Sequence, residues 1–359
     1  MNTIHSASSP KAYLDQSTFD EFLRCSSTGR ATELSRILST HIVSAGKCLL
    51  ALSLAAKAGN SECVKILIPT CDALVNDSDA LCEAVSNGHL ECVKLLIPVS
   101  DPKAGYSRPL RWAASRGRVE CVELLIPVSD PKADNSKSLL LAARHGHIEC
   151  VKRLISVSDA KAGNSHPLQL AAENGHSECV ALLIPVSDAK AGNSHPLQLA
   201  AENGHVECVK LLIPVSDPKA DQSVALRLAA LNGHTECVKL LIPVSDPKSD
   251  DSQPLLRAVA AGYTDCVKLL IPCSHPLLEC PDIFAHALCS GNIALAALLI
   301  EAEPLLLETL DLPALLSLAM DNGRYEAAAF LLSAIESQSL LAAAQPASRR
   351  DSPPPSQRL

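Results

Sequence analysis

The chain has 359 residues, of which 47% are apolar and 3% aromatic, and its formal net charge at pH 7 is −8. This apolar content excludes a chain without a packed core, and no apolar run reaches the roughly 18 residues that a membrane-spanning helix needs. The acidic charge and the scarcity of aromatic residues argue against a nucleic-acid binder, which would carry a basic face. The N-terminal sequence has no charged segment followed by an apolar one, so we expect a cytoplasmic protein with reduced cysteines.

Most of the chain repeats with a period of 29 residues. This spacing is kept by eight cysteines, called the column cysteines below: Cys63, Cys92, Cys121, Cys150, Cys179, Cys208, Cys237 and Cys266. A fixed period between about 20 and 50 residues is the signature of a solenoid or propeller. Residues 18–338 are therefore assigned to an array of about eleven units, with degenerate capping units at 18–43 and 279–338. Residues 1–17 and the tail 339–359 lack the period and are predicted to be disordered.

Each unit is predicted to contain two short helices, as residues 163–191 illustrate. Ser165 is positioned to cap the first helix, and Gly175 suits the left-handed residue that ends it. The second helix follows with Cys179 on its apolar face, and Pro185 prevents its continuation. Two such helices enclose no core, so the units must be stabilised by stacking. The predicted fold is an all-α solenoid of stacked helix-turn-helix units with short loops.

The same unit carries a set of motifs in a fixed order. Pro167-Leu168-Gln169-Leu170-Ala171-Ala172 is followed by Gly175-His176 and then by the acidic Glu178. In these residues the chain resembles the ankyrin repeat family, over roughly residues 18–338. The resemblance implies a non-enzymatic array that binds another protein along a concave face lined by the first helices. The period is shorter than the family's, which is about 33 residues, so we expect stunted fingers between units.

The positions that vary from unit to unit are candidates for recognition, because packing requires constancy elsewhere. The resemblance places them on the concave face, where the first helices begin and end. The candidates are Arg108, Arg111, Ser115, Arg116, Lys137, Arg144, His145, His166, Glu173, Asn174, His195, Glu202, Asn203 and Asn232. From Lys103 to Arg153 there are ten Lys and Arg but five Asp and Glu, so we expect a partner segment with acidic or phosphorylated residues.

Other distinctive residues are assigned to structure. The column cysteines are predicted to be buried and inert, and the histidines that follow the glycines are expected to bond a nearby backbone group. Trp112 stands where other units have leucine, so it is predicted to lie in the core. A metal or redox site at His176 and Cys179 is an alternative, but two ligands fall short of a structural zinc site. Because Ser, His and Glu recur in many units, no single active site is expected, and neither a metal nor a cofactor is predicted.

The predicted function is that of a monomeric protein-protein interaction scaffold that binds neither nucleic acid nor membrane. One alternative is the substrate-recruiting arm of a ubiquitin ligase, because Leu310 to Leu318 resembles the start of an F-box, with Leu312 to Leu318 as the contact. The same segment also aligns with the first helix of a final unit. Another alternative is an effector protein that acts in the cytoplasm of a host cell.

Overall fold

The computed structural model describes residues 12–71, 78–274 and 282–344. Within these ranges the chain is helical apart from short connections and one pair of two-residue strands. The strands β1 (Ala12–Tyr13) and β2 (His41–Ile42) are parallel, with Ala12 opposite His41. No helix in the described part of the chain is both long and apolar enough to cross a membrane.

The described helices form eleven consecutive pairs, each made of a first helix and a second helix. In chain order the pairs are α1 (Gln16–Thr28) and α2 (Ala31–Thr40); α3 (Ala45–Ala58) and α4 (Ser61–Leu67); α5 (Asp79–Asn87) and α6 (Leu90–Leu96); α7 (Ala104–Ser115) and α8 (Val119–Leu125); α9 (Ala133–Arg144) and α10 (Ile148–Ile155); α11 (Ala162–Glu173) and α12 (Ser177–Leu183); α13 (Ala191–Glu202) and α14 (Val206–Leu212); α15 (Ala220–Leu231) and α16 (Thr235–Leu241); α17 (Ser249–Ala261) and α18 (Thr264–Leu270); α19 (Asp282–Ser290) and α20 (Ile293–Ala302); α22 (Leu312–Asp321) and α23 (Tyr325–Ala344). A short helix, α21 (Leu306–Thr309), precedes the last pair. The predicted solenoid of helix-turn-helix units is confirmed.

The predicted ends of the array differ from the observed helix boundaries. The boundary after residue 17 falls inside α1, and β1 lies still earlier in the chain. The other boundary, at 338, falls inside α23, which continues to Ala344. Residues 1–11, 279–281 and 345–359, which belong to the predicted termini and to the predicted capping unit, lie outside the described residues.

The chain divides into two compact units, Met1–Ala200 with Lys210–Ser216 and Ala201–Val209 with Asp217–Leu359. In the first unit, the first helices α1, α3, α5, α7, α9 and α11 pack side by side in one layer, and the second helices α2 to α12 form another. In the second unit, α15, α17, α19 and α22 pack in sequence as first helices, α16 packs on α18, and α20 packs on α23. Within each unit these first helices therefore cover their neighbours, as a repeat array requires.

The column cysteines lie in the core of their second helices. All eight are buried and outside any disulfide, so the prediction of burial is confirmed. Burial raises the pKa of Cys121, Cys150, Cys179 and Cys237 to about 11. Because the thiolate is the reactive form of cysteine, this shift makes these four thiols poor nucleophiles.

The second helices end as the prolines predict. α12 stops at Leu183, and a 3₁₀ turn, Ile184–Val186, carries Pro185 in its first residues. Gly175, which joins α11 to α12, has a φ of +76°, the left-handed conformation expected of a helix-ending glycine. The residues that end the two helices of a unit can therefore be identified from the local sequence.

The start of each regular first helix was not predicted. In α11, Gly163, Asn164 and Ser165 form a left-handed turn with φ between 59° and 62° before the right-handed helix begins. The same turn opens α7, α9, α13, α15 and α17. Gly, Asn and Asp, which tolerate this conformation best, dominate its first two positions. A left-handed turn thus stands where each of these six units joins its predecessor.

The predicted capping role of Ser165 is wrong. This left-handed, buried serine accepts a hydrogen bond from the backbone N–H of Asp188, at 2.8 Å, rather than one from its own helix. The left-handed φ turns the side chain away from the helix start and towards the loop that follows the second helix. Ser165 therefore joins two ends of a unit rather than capping one helix.

One pair of cysteines outside the column is oxidised. Cys48 on α3 and Cys71, which follows α4, form a disulfide with their Cα atoms 5.7 Å apart. The expectation that all cysteines are reduced is wrong for this pair. Its sequence separation of 23 residues equals that of Ser165 and Asp188, because both pairs join the start of a first helix to the loop after the second.

Candidate functional site

The candidate residues lie on or directly after the first helices. In the first unit they occupy α7 (Arg108, Arg111, Ser115, then Arg116), α9 (Lys137, Arg144, then His145), α11 (His166, Glu173, then Asn174) and α13 (His195). Because α7, α9 and α11 pack side by side, the candidates from Arg108 to Asn174 share one layer. Glu202, Asn203 and Asn232 belong to the second unit.

A pocket of about 210 Å³ lies between α7 and α9. It is lined by Arg108, Arg111, Trp112, Ser115 and Leu141, of which the two arginines and the serine are candidates from the sequence. The polar groups surround an apolar floor made by the indole and the leucine. This combination suits a side chain that is apolar at its tip and anchored by hydrogen bonds at its edge.

Trp112 was predicted to be buried, and that prediction is wrong. It is 38% exposed, whereas Leu141 at the equivalent position of the next unit is half-buried. The position faces the pocket rather than the buried interface between first helices, so a side chain as large as indole extends into solvent. Sequence reasoning therefore missed the aromatic centre of the pocket. The available signal was that Trp112 is the single tryptophan of the chain.

Arg116 covers one side of this aromatic ring. Its Cζ atom lies 5.5 Å from the centroid of the Trp112 ring. The two residues are four apart, so the end of α7 brings them together on one face. A guanidinium over an indole is a favourable cation–π contact, and it holds a positive charge beside the pocket.

Arg108 and Arg111 are held by acidic residues of the neighbouring units. Arg108 Nη2 lies 2.7 Å from Asp79 Oδ1 of α5. Arg111 Nη1 lies 3.3 Å from Asp134 Oδ2 of α9, and its Nη2 donates to the Gly105 carbonyl at 2.6 Å. These ion pairs link successive first helices and fix the two guanidinium groups that line the pocket.

Three other basic candidates keep their charge available. Within the described residues, Arg116, Lys137 and Arg144 form no ion pair with a carboxylate. Arg116 and Arg144 are exposed, and Lys137 is half-buried. The positive charge of this layer is therefore carried by the ends of α7 and α9 and by the start of α9.

Two histidines of this surface, His145 and His166, favour the neutral form. Partial desolvation lowers the pKa of His166, and Lys137 lowers it further. Desolvation also lowers the pKa of His145, with smaller contributions from His147 and Arg144. Since the ordinary pKa of histidine is about 6.5, both rings act at neutral pH as hydrogen-bonding groups rather than as cations.

Some candidates also stabilise their own helices. Asn174 Nδ2 donates to the Leu170 carbonyl at 2.8 Å, and Asn232 makes the same bond to Leu228 at 3.1 Å in the second unit. These amides satisfy carbonyls in the last helical turn. His195 Nδ1 lies 3.3 Å from Gln169 Oε1. Asn174, Asn232 and His195 therefore have a structural role beside any role in recognition.

The histidines that follow the glycines bind the preceding unit, as predicted. His176 Nε2 donates to the Arg144 carbonyl at 3.1 Å, and the His176 ring packs against Gly146. The same bond joins His89, His147 and His234 to carbonyls 32 residues earlier. Among the described residues, no three His, Cys, Asp or Glu side chains are grouped so that they could hold a metal ion.

Comparison with known proteins agrees with this architecture. The family model described as ankyrin repeats (three copies) matches residues 33–106, 52–138, 81–164, 139–224 and 197–279, which together exceed half of the chain. The chain belongs to the ankyrin repeat family. No curated protein matches this ankyrin-repeat chain.

Two solved structures similar to this ankyrin-repeat chain are ankyrin repeat domains. One, from Acinetobacter baumannii AYE, is 25% identical and has a TM-score of 0.40, with 46% of this chain and 98% of that chain covered. The other is the human ASB11 ankyrin repeat domain, which is 24% identical with a TM-score of 0.44, over 57% of this chain and 96% of that chain.

Proposed function

We propose that this ankyrin-repeat chain is a monomeric, non-enzymatic scaffold that binds a partner protein on the layer of first helices from α5 to α11, the face expected to be concave. The observation that carries the proposal is the exposed Trp112 at the edge of a pocket lined by two fixed arginines. Tryptophan and arginine are the residue types that dominate binding energy at protein interfaces. A rigid stack also loses little conformational entropy when it binds.

The charge of the surface supports a partner with acidic or phosphorylated residues. Arg116, Lys137 and Arg144 lie on successive first helices, around a pocket whose own arginines already contact aspartates. An extended segment that crosses these helices would place its acidic groups against the three cations and one apolar side chain against Trp112. Charge complementarity of this kind selects partners and accelerates association.

The test is affinity purification with the wild-type chain and two matched variants. Trp112→Ala removes the aromatic centre of the pocket, whereas Leu231→Ala truncates a side chain of similar exposure at the end of α15. We expect one or more partners to be captured by the wild type and by Leu231→Ala but lost with Trp112→Ala. Equal capture by all three chains would contradict the proposed surface.

The same experiment addresses the ubiquitin-ligase alternative. Leu312, within the segment that resembles an F-box, is buried in the last helix pair, and Leu318 is 41% exposed. Leu318→Ala would therefore weaken capture of a ligase adaptor if α22 were the contact. An adaptor that is retained by Trp112→Ala but lost with Leu318→Ala would favour the recruiting arm over the scaffold.

A further inference from the structure

A second pocket lies far along the chain from Trp112, in the second unit. It has a volume of about 530 Å³ and lies between α20, α23 and the segment that joins the last two helix pairs. Its lining is apolar and includes Ile300, Leu305, Leu307 and Phe330. Leu305 is 52% exposed, so an apolar surface is left open to solvent here.

The pocket exists because the last units depart from the regular repeat. In regular units, a proline ends the second helix after two turns, as at α12, and a 3₁₀ turn follows. α20 instead runs ten residues, from Ile293 to Ala302, and α21 is inserted before the final pair. The extra turn of α20 and the inserted helix leave a space beside α23 that is lined by apolar side chains.

The rim of the pocket is acidic. Glu301 and Glu308 line it and are exposed, and neither forms an ion pair within the described residues. The surrounding sequence, from Ile293 to Glu336, has seven acidic residues and one basic residue. An occupant should therefore combine apolar groups for the floor with positive charges for the rim.

The tail of this chain, residues 345–359, has this composition. It contains Arg349, Arg350 and Arg358 against a single acidic residue, and Pro353-Pro354-Pro355 follows the arginine pair. Proline-rich segments adopt an extended helix that needs no internal hydrogen bonds and docks on aromatic-lined grooves. Phe330 supplies an aromatic ring in the pocket.

The distances allow the tail to reach the pocket. The last pocket residue on α23 is Ala334, and the helix ends at Ala344, about 15 Å further along at 1.5 Å per residue. From Ala344, the five residues to Arg349 can span about 17 Å when extended. The arginine pair can therefore return to the level of the acidic rim, and the prolines can then cross the floor.

We propose that residues 345–359 dock intramolecularly in the pocket between α20 and α23, with the arginine pair against Glu301 and Glu308 and the prolines against Phe330. The docked tail covers the apolar surface of the last units. Because the tail is tethered beside its site, its effective concentration is high, and a weak contact is enough to hold it. The proposal is independent of partner binding at Trp112.

The test is hydrogen–deuterium exchange on full-length chains at two protein concentrations. We expect the amides of residues 305–308 to exchange several-fold more slowly in the wild type than in the tail variants Arg349→Glu/Arg350→Glu and Pro353→Ser/Pro354→Ser/Pro355→Ser. Glu326→Lys, an exposed change on α23 away from the pocket, should leave the protection intact. Equal exchange in the wild type and both tail variants would overturn the proposal, as would protection that depends on protein concentration, which would indicate a second copy as the occupant.

A charge swap separates docking from a general effect on folding. Glu301→Lys/Glu308→Lys should lose the protection, and combining it with Arg349→Glu/Arg350→Glu should restore it. A synthetic peptide of residues 345–359 should also restore the protection of the Arg349→Glu/Arg350→Glu chain. If the combined variant stays unprotected and the peptide has no effect, the tail does not occupy this pocket.

Discussion

Ser165 Oγ accepts a hydrogen bond from the backbone N–H of Asp188 at 2.8 Å, and the serine is fully buried. The contact recurs at the same separation between Ser107 and Asp130, Ser136 and Asp159, and Ser223 and Asp246. It joins the left-handed turn at the start of a unit to the loop at its end. The constancy of this serine from unit to unit therefore reflects a bond that closes each unit.

Replacing Ser165 with alanine should destabilise the array. The backbone N–H of Asp188 would lose its acceptor in a partly buried position, which costs about 1–3 kcal/mol. Chemical unfolding of Ser165→Ala measures this loss. Ser177→Val is the control, because the equivalent residue of the next unit is Val206; a control as unstable as Ser165→Ala would refute the argument.

Gly146→Ala should also be strongly destabilising. Gly146 has a φ of +70°, and an added Cβ would lie 2.6 Å from His176 Nδ1. Left-handed φ costs a non-glycine residue about 1–2 kcal/mol before any clash is counted. Thermal unfolding should show the loss of stability. Adding His176→Ala to Gly146→Ala should remove the clash with the ring but not the cost of the left-handed φ. Gly46→Ala, where a Cβ meets nothing within 4 Å, should be neutral or stabilising, and a loss there would contradict the reasoning.

Tyr106→Asn should stabilise the protein. Tyr106 has a φ of 57° and is 72% exposed, and it occupies the place that Asn135 and Asn164 hold in the next units. Asparagine tolerates the left-handed region better than tyrosine, so we expect a gain of about 0.5–1 kcal/mol in the free energy of unfolding. Tyr13→Asn in β1, where φ is not positive, should bring no gain. An equal gain at both positions would show that the removal of an exposed aromatic ring, and not the left-handed φ of Tyr106, is the cause.

The stability of the array should fall at alkaline pH. Burial, reinforced by the neighbouring glutamates, raises the pKa of Cys150 and Cys179 from 9.0 to about 11. A thiol with a raised folded-state pKa stabilises the fold fully below pH 9, and this contribution is lost as the pH rises to 11. By pH 10, the titration of each of these two thiols should lower the free energy of unfolding by on the order of 1 kcal/mol.

Unfolding by denaturant at pH 8 and pH 10 measures this effect. Cys150→Val/Cys179→Val should be within about 1.5 kcal/mol of the wild type per substitution at pH 8, because valine is similar in volume. The variant should lose less stability than the wild type between the two pH values, because it lacks the two titrating thiols. Lysine and tyrosine titrate in both chains, so they do not contribute to the difference. An identical loss in both chains would show that these thiols do not titrate as proposed.

Charge reversal on the first helices should weaken partner binding without affecting the fold. Arg116 and Arg144 are exposed, so Arg116→Glu/Arg144→Glu should leave the thermal midpoint nearly unchanged. The association rate should fall, and the difference from the wild type should shrink at high salt. Lys210→Glu/Lys239→Glu on second helices is the matched control. Loss of binding in the control and not in the first-helix variant would place the partner on the opposite layer.

The local features of the unit could be predicted from the sequence because each depends on residues close together in the chain. Gly175 ends a helix, Pro185 stops the next, and Cys179 takes an apolar position of a short amphipathic helix. Repetition made these signals strong, since an error in one unit is corrected by the others. The candidate surface could be placed on the first helices for the same reason.

What only the tertiary structure decided involves pairs of residues from different parts of the chain. Arg111 meets Asp134 of the next unit, Ser165 meets a loop 23 residues later, and Cys48 reaches Cys71. The Arg111 contact depends on how closely α7 and α9 pack, and the Ser165 contact depends on the left-handed turn that opens α11. The exposure of Trp112 depends on the same packing, because a leucine position that is half-buried in one unit has no room for an indole. Periodicity determines which face of a helix is apolar, whereas the space on that face is set by the neighbouring helix.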